Sequence, residues 1–367
     1  MINPFQKFNT RSRVLPSGGE PFIISNGVIT PNHMVDATFA LRNSDVFAVV
    51  NLIASDVAGA RRSIAQPFDQ VVEQPNNLIS GFNFWQSVVA QMLLAGNAYA
   101  IITARKQGVP TRIELAAVSQ VTVTLTDYAK DLTYDVNWTD ERGIKRYKSK
   151  DVLHFRLLAS GQDDQQLIGI SPLQSLNGPL NMQQFSNDLT LATLKHAINP
   201  SVTLTVPQGE LDKDAKENIR TAFEEQTSGE NAGRAIVLDQ GLSMSTIQIN
   251  SDVAKFLNTM DFGRTAIAEA FGVPDSYLNG QGDQQSSLNM VKSLYANALR
   301  RYVKPIESEV QAKFGVPFNI DESSSVDATN ADFVEMVTKL AGVGTKGATP
   351  IISAQEAHQM LMNRGIL

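Results

Sequence analysis

Cysteine is absent from this chain of 367 residues, and histidine occurs only four times. Without cysteine the chain can form no disulfide, no thiol nucleophile and no zinc site with thiolate ligands. No two histidines have the spacing of metal ligands on one element, which argues against a histidine-based metal site. We therefore expect neither a metal nor any other cofactor.

Charge and long apolar runs are also scarce. Charged residues make up 19% of the chain and sum to a net charge of −6, which argues against a simple DNA-gripping domain. No run reaches the ~18 apolar residues of a membrane span, and the N-terminus lacks the apolar segment of a signal peptide. We expect an intracellular protein that does not enter a membrane. Its low charge suggests a surface that other copies of the chain cover.

The spacing of apolar residues predicts an α+β fold. After a loosely ordered segment over 1–40, two amphipathic helices follow. From 101 to 158 the period falls to two, which predicts antiparallel strands, one of them unbroken over 113–125, and a hairpin turn at Gly143. A charge-poor helix is predicted over 172–199, and a helix of this kind is seldom free on a surface.

Short strands and helices alternate beyond residue 200. A short strand and a charged helix come first, and two further strands follow. Gly272 is predicted to end the next helix, and Pro305 to kink the long helix after it. A helical pair completes the chain.

The stretch MLLAGNAYAII interrupts an apolar run with Gly96 and Asn97. A central glycine weakens a helix by about 1 kcal/mol, and an asparagine in a buried strand needs hydrogen-bond partners. We therefore expect a helix to end at Gly96 in a left-handed cap, with a strand leaving from that point.

No catalytic pattern is complete. GVGTKG over 342–347 has the G-x-G-x-x-G form, but a helix precedes it where a nucleotide site needs a strand, so we interpret it as a helix connector. The adjacent acids Asp163 and Asp164 point in different directions and do not form a two-carboxylate metal site. His154 lies in an alternating strand, where a structural histidine is expected. The sequence predicts no enzyme.

Six stretches in one order resemble the portal proteins of long-tailed (siphophage-type) bacteriophages and prophages. They are NSDVFAVVNLIASDVA, LLAGNAYA, DVLHFRLL, GISPLQSL, AIVLDQGLSM and AIAEAFGVPDSYL, and they extend from about residue 41 to 314. The resemblance implies a ring, usually of about twelve subunits, at one capsid vertex. Terminase pumps double-stranded viral DNA through the tunnel of such a ring, and the DNA later leaves toward the tail.

The resemblance also implies where the protein acts and what it contacts. The partners are terminase, the head–tail connector or adaptor, and the major capsid or scaffolding protein. The location is the virion, after assembly in the host cytoplasm.

The parts of the family are assigned to this chain by position. They are the β-rich wing at 41–171, a stem helix at 172–199, an α/β clip at 200–250, a second stem helix at 251–272, a tunnel loop at 273–287, a kinked helix with the base of the wing and crown at 288–325, and a helical crown at 326–367.

Three sets of side chains follow from this assignment. Stem packing is assigned to the apolar residues Phe185, Leu189, Leu194, Phe256 and Met260. Contact of the clip with terminase and the connector is assigned to Lys213, Lys216, Arg220 and Glu224. DNA contact in the tunnel loop is assigned to neutral or acidic side chains, which let DNA slide because they release few counterions: Asn279, Gln281, Asp283, Gln284 and Gln285.

Two alternative functions stay open from the sequence. One is a structural ring without a packaging role, such as a head–tail adaptor, although adaptors are usually much smaller. The other is a nucleic-acid-processing enzyme of the packaging module, which needs clustered acids or a phosphate loop that the sequence lacks.

Overall fold

A computed structural model describes residues 13–14, 22–25, 28–31, 40–126, 131–159, 166–197, 202–205, 212–227, 243–246, 263–274, 288–327, 329–342 and 350–367. The chain divides into two compact units. The first contains Met1–Gly178 and Arg264–Leu367, and the second contains Pro179–Gly263.

The described helices, in chain order, are α1 (Ser44–Gly59), α2 (Asp69–Glu73), α3 (Gly81–Ala95), α4 (Asn177–Ala197), α5 (Lys213–Thr227), α6 (263–271), α7 (Leu288–Phe314), α8 (Ser323–Val326), α9 (Ala331–Leu340) and α10 (Ala354–Asn363). The described strands are β1 (Arg13–Val14), β2 (Phe22–Ser25), β3 (Val28–Pro31), β4 (Arg61–Ile64), β5 (Asn97–Lys106), β6 (Val109–Ala116), β7 (Val121–Leu125), β8 (Leu132–Asn137), β9 (Ile144–Lys148), β10 (Val152–Arg156), β11 (Val202–Thr205), β12 (Ser243–Thr246) and β13 (Phe318–Asp321).

Several helix ends lie where the local sequence predicts. The side chain of Asn43 caps α1 by accepting hydrogen bonds from the next turn, at 3.0 Å from the amide of Asp45. Gly96 ends α3 with φ +76°, the left-handed cap that the sequence predicted. Gly272 ends α6 with φ +67°, and Pro305 lies inside α7.

Antiparallel sheets make up the strand-rich part of the first unit. One sheet has the order β1-β7-β8-β9 and another has the order β10-β5-β6. The turn between β8 and β9 is the predicted hairpin, with Gly143 at φ +56° and its carbonyl oxygen 3.0 Å from the amide of Trp138. Aromatic and aliphatic side chains of both sheets share one core, which includes Tyr99, Tyr134 and Val152.

Two predicted boundaries differ from the structure. Residues 113–125 are not one strand, because a 3-10 turn over Val118–Gln120 separates β6 from β7 and is held by a hydrogen bond from the Ala117 amide to the Gln120 side chain. The long helix begins at Asn177, since Pro172–Leu176 form a 3-10 turn that Ser171 caps. Within the segment over 1–40 the structure describes β1, β2 and β3, and β1 pairs with β7. The loose order expected of this segment stays a prediction.

Candidate functional site

Three of the stretches that carry the family resemblance meet at the side chain of Asn97. Asn97 begins β5 and is 1% exposed. Its Nδ2 donates hydrogen bonds to the carbonyl oxygens of Gly169 (2.9 Å) and Ala95 (3.1 Å). Its Oδ1 accepts a hydrogen bond from the amide of Gly169 at 2.8 Å and lies 3.0 Å from Nε2 of His154. The stretches around residues 96, 154 and 169 therefore form one junction.

At this junction two backbone segments approach each other so closely that neither leaves room for a Cβ. A Cβ on Gly169 would lie 2.1 Å from the carbonyl oxygen of Gly96 and 2.7 Å from the amide nitrogen of Leu157. A Cβ on Gly96 would lie 2.5 Å from the carbonyl carbon of Ile170. Both positions therefore require glycine. At Gly96 the positive φ is a second reason for glycine.

His154 is fully buried in this junction and hydrogen-bonded through both ring nitrogens. Its Nδ1 lies 3.2 Å from the hydroxyl of Tyr134, and its ring centroid lies 4.4 Å from that of Tyr99. Burial lowers the pKa of His154 well below its usual value, and the positive charges of Arg156 and Lys313 lower it further. Burial also raises the pKa of Tyr134 to about 12. His154 is therefore neutral, as expected of a structural histidine.

Helix α4, the predicted stem helix, leaves large apolar side chains exposed and buries two polar ones, although Leu180 is buried and Leu191, on the opposite side of the helix, is 55% exposed. Met182, Phe185 and Leu189 are 54%, 74% and 45% exposed, and their spacing places them on one side of the helix. Gln183 and Ser186 are each only 5% exposed. A helix on the surface of a monomeric protein has the opposite arrangement. We name Met182, Phe185 and Leu189 the α4 stripe.

The α4 stripe includes two of the five predicted stem-packing residues. Met182 was not among the predicted residues, although helical spacing places it beside Phe185, three residues further on. The side chain of Leu194 lies outside the described residues, and so do Phe256 and Met260. Packing in the stem stays a prediction for all five predicted residues.

Helix α5, the predicted clip helix, carries an exposed surface of mixed charge. Lys213, Lys216 and Arg220 are all exposed. Arg220 donates a hydrogen bond to the carboxylate of Glu217 at 2.6 Å, and an ion pair so exposed adds little stability. The side chain of Glu224 lies outside the described residues. Lys213, Lys216 and Arg220 are therefore accessible to a partner in the single chain.

The predicted DNA-contacting residues Asn279, Gln281, Asp283, Gln284 and Gln285 lie outside the described residues. Within the described ranges, no group of three or more His, Asp or Glu side chains has the geometry to hold a metal ion. The same part of the chain contains no helix that is long and apolar enough to cross a membrane.

Comparison with known proteins identifies the family. The family model described as phage portal protein matches residues 44–361. The chain belongs to the phage portal protein family. The probable portal protein of Streptomyces phage phiC31 is 24% identical to it over 342 residues, which cover 83% of this chain and 72% of the phage protein.

Solved structures share the portal fold with this chain. A phage portal protein of the HK97 family from Corynebacterium diphtheriae has a TM-score of 0.60 at 15% identity, with 80% of this chain and 98% of that chain covered. A chain from the neck of a native gene transfer agent particle, computed with C12 symmetry, has a TM-score of 0.63 at 21% identity, with 89% of this chain and 93% of that chain covered. The portal-type α+β fold that the sequence predicted is confirmed.

Proposed function

We propose that this portal-family chain assembles into a closed ring at one vertex of a capsid. The ring is the conduit through which terminase packages double-stranded DNA and through which the DNA leaves, and it is the docking site for the head–tail connector. It contacts the major capsid or scaffolding protein, assembles in the host cytoplasm and has no catalytic activity.

The α4 stripe is the observation that carries this proposal. Exposure of three large apolar side chains on one side of a helix is unfavourable. Complete burial of each would contribute about 1.5–3 kcal/mol of free energy. These side chains are exposed in the single chain, so burying them requires a surface outside it. A neighbouring subunit in a ring supplies the missing surface. The twelvefold symmetry of the similar gene transfer agent neck supports this arrangement.

Three further observations favour a conduit over the alternative functions. A net charge of −6 suits a channel in which DNA slides, because a basic lining would release counterions and bind the DNA tightly. The family match covers residues 44–361, whereas a head–tail adaptor is usually much smaller. A packaging nuclease would need a cluster of acids, and the described residues contain none with metal-binding geometry.

Leu189→Asp is expected to abolish ring assembly while the subunit still folds. Leu189 is 45% exposed in the single chain, so aspartate at this position is hydrated before assembly. In the ring, burial of an unpaired carboxylate at every interface costs several kcal/mol. Native mass spectrometry should give a closed ring for the unmodified chain and monomers for the variant, and the variant monomer should still unfold cooperatively on heating.

Asn187→Asp is the matched control, because Asn187 is exposed on a different side of the same helix. It adds the same charge and should leave the ring intact. A chain that stays monomeric without any substitution would contradict the ring proposal. Normal ring yield for Leu189→Asp would show that the α4 stripe is not the interface.

Reversing charge at Lys216 and Arg220 is expected to weaken terminase binding and to leave the ring intact. Both side chains are exposed on α5, and exposed charges mainly change the rate of association. We expect Lys216→Glu with Arg220→Glu to reduce the association rate with terminase about tenfold at low salt, measured by surface plasmon resonance.

Lys148→Glu with Lys150→Glu is the control, since it makes the same charge change on exposed residues of the first unit. If the two double variants lower the association rate equally, net charge is responsible and α5 is not the docking surface.

A further inference from the structure

Hydrogen bonds at the junction run in one direction through four side chains. Nη2 of Arg156 lies 3.4 Å from the Tyr134 hydroxyl, and this hydroxyl lies 3.2 Å from Nδ1 of His154. Nε2 of His154 lies 3.0 Å from Oδ1 of Asn97. We name Arg156, Tyr134, His154 and Asn97 the relay. It ends on the backbone of Gly169, which bonds to both ends of the Asn97 amide.

The hydrogen-bond partners determine which atom carries each proton in the relay. Nδ2 of Asn97 faces two carbonyl oxygens, so its Oδ1 is an acceptor and Nε2 of His154 must be the donor. Nδ1 of His154 then has no proton and accepts from Tyr134, and the hydroxyl of Tyr134 accepts from Arg156. This pattern is satisfied only when His154 is neutral.

The groups around His154 disfavour a positive charge. Strand β5 contributes Tyr99, β8 contributes Tyr134, and β10 contributes Arg156. Helix α7 contributes Glu309 and Lys313, and the Glu309 carboxylate accepts a hydrogen bond from the backbone amide of His154 at 3.1 Å.

Glu309 is already shared by the nearby cations. It lies 3.9 Å from Arg156 and 3.7 Å from Lys313. The segment over 166–171, which leads toward α4, has no charged side chain; we name it the connection. Two cations therefore share one carboxylate, and a protonated His154 would be a third cation in a buried space.

We propose that the relay is a proton-operated latch that holds the connection against β5. Above about pH 6.5, His154 is neutral in both the folded and the unfolded chain, and the latch is closed. As the pH falls below this value, protons favour states in which the ring has left the buried space. Asn97 then loses the hydrogen bond that His154 donates to its Oδ1, so the amide that holds Gly169 is less firmly fixed and the connection opens more readily. Each pH unit below 6.5 shifts the latch toward the open state by up to about tenfold.

Hydrogen exchange of the full chain, followed by mass spectrometry, tests the latch. The probe is the peptide over 166–174, with rates corrected for the intrinsic effect of pH. Between about pH 6.5 and about pH 5.5, we expect its protection to fall by up to tenfold in the unmodified chain. In His154→Gln, protection should be lower at neutral pH and should not fall further in acid. His358→Gln is the control, because His358 is exposed on α10, and it should retain the full drop.

Tyr134→Phe is a second test that does not depend on how well His154→Gln folds. Phenylalanine keeps the ring in the core but removes the donor to Nδ1, so the nitrogen accepts a proton more readily and the drop should move to higher pH. Unchanged protection of the peptide in acid, an equal drop in His154→Gln, or an unshifted drop in Tyr134→Phe would overturn the latch. These readouts concern a single subunit, so they stand or fall separately from the ring.

Discussion

Replacing Gly169 by alanine is expected to prevent the first unit from folding. The new Cβ would lie 2.1 Å from the carbonyl oxygen of Gly96, and both of its closest neighbours are backbone atoms that cannot rotate away. Relief requires separating the connection from β5, which breaks the two hydrogen bonds between Gly169 and Asn97. We expect a loss of more than about 4 kcal/mol in the free energy of unfolding, a size reserved for such backbone clashes.

The measurement is thermal or urea unfolding of the purified chain, together with soluble yield. Gly178→Ala is the matched control, because a Cβ at Gly178 meets nothing within 4 Å and the residue lies inside α4. That substitution should change the free energy of unfolding by less than about 1 kcal/mol, because the gain from a less flexible unfolded chain is offset by the preference of a side chain before Pro179 for an extended backbone. If the free energy of unfolding of Gly169→Ala is within about 1 kcal/mol of that of the unmodified chain, the two backbones do not approach each other as closely as described.

Asn97→Leu is expected to cost at least about 3 kcal/mol of folding free energy. The two side chains are similar in size, so the loss comes from polar groups without partners and not from a cavity. The amide and carbonyl of Gly169 and Nε2 of His154 would each lose a hydrogen-bond partner in a buried place. Each such loss costs about 1–3 kcal/mol.

Asn137→Leu makes the same change on an exposed position of strand β8. Its effect on urea unfolding should stay within about 0.5 kcal/mol, as for most surface substitutions. Equal losses for the two variants would mean that leucine itself, and not the broken junction, is responsible for the destabilisation.

Local signals predicted much of the fold. The cap at Gly96 and the hairpin turn at Gly143 each depend on one residue that tolerates positive φ. The break between β6 and β7 was missed although the alternation of apolar and polar residues fails around the 3-10 turn over Val118–Gln120, where the four apolar residues of 115–118 precede two polar ones. The alternation over 121–125 was extended back across this turn.

The junction and the α4 stripe needed the folded chain. Asn97 and Gly169 are 72 positions apart, and Asn97 and His154 are 57 apart, so no window along the sequence contains the bonds between them. For α4, the scarcity of charged residues predicted a helix that is covered by other protein. It did not predict which face of the helix is exposed in the single chain. Burial of Gln183 and Ser186 contradicts the usual assignment of polar residues to the outside.

The exposed apolar face of α4 is also relevant to the number of subunits that form a closed ring. If the stripe of Met182, Phe185 and Leu189 is the interface of a ring, as proposed, it meets a different surface of the next subunit and not its own copy, because a rotation about one axis relates the subunits of such a ring. Such a head-to-tail contact closes only when the rotation from one subunit to the next divides a full circle; otherwise the chain of subunits continues as a helical filament. The volume of these three side chains would then help to set the angle of rotation between neighbouring subunits. A conservative change such as Phe185→Leu should therefore alter the subunit number, or produce open spirals, before it abolishes assembly.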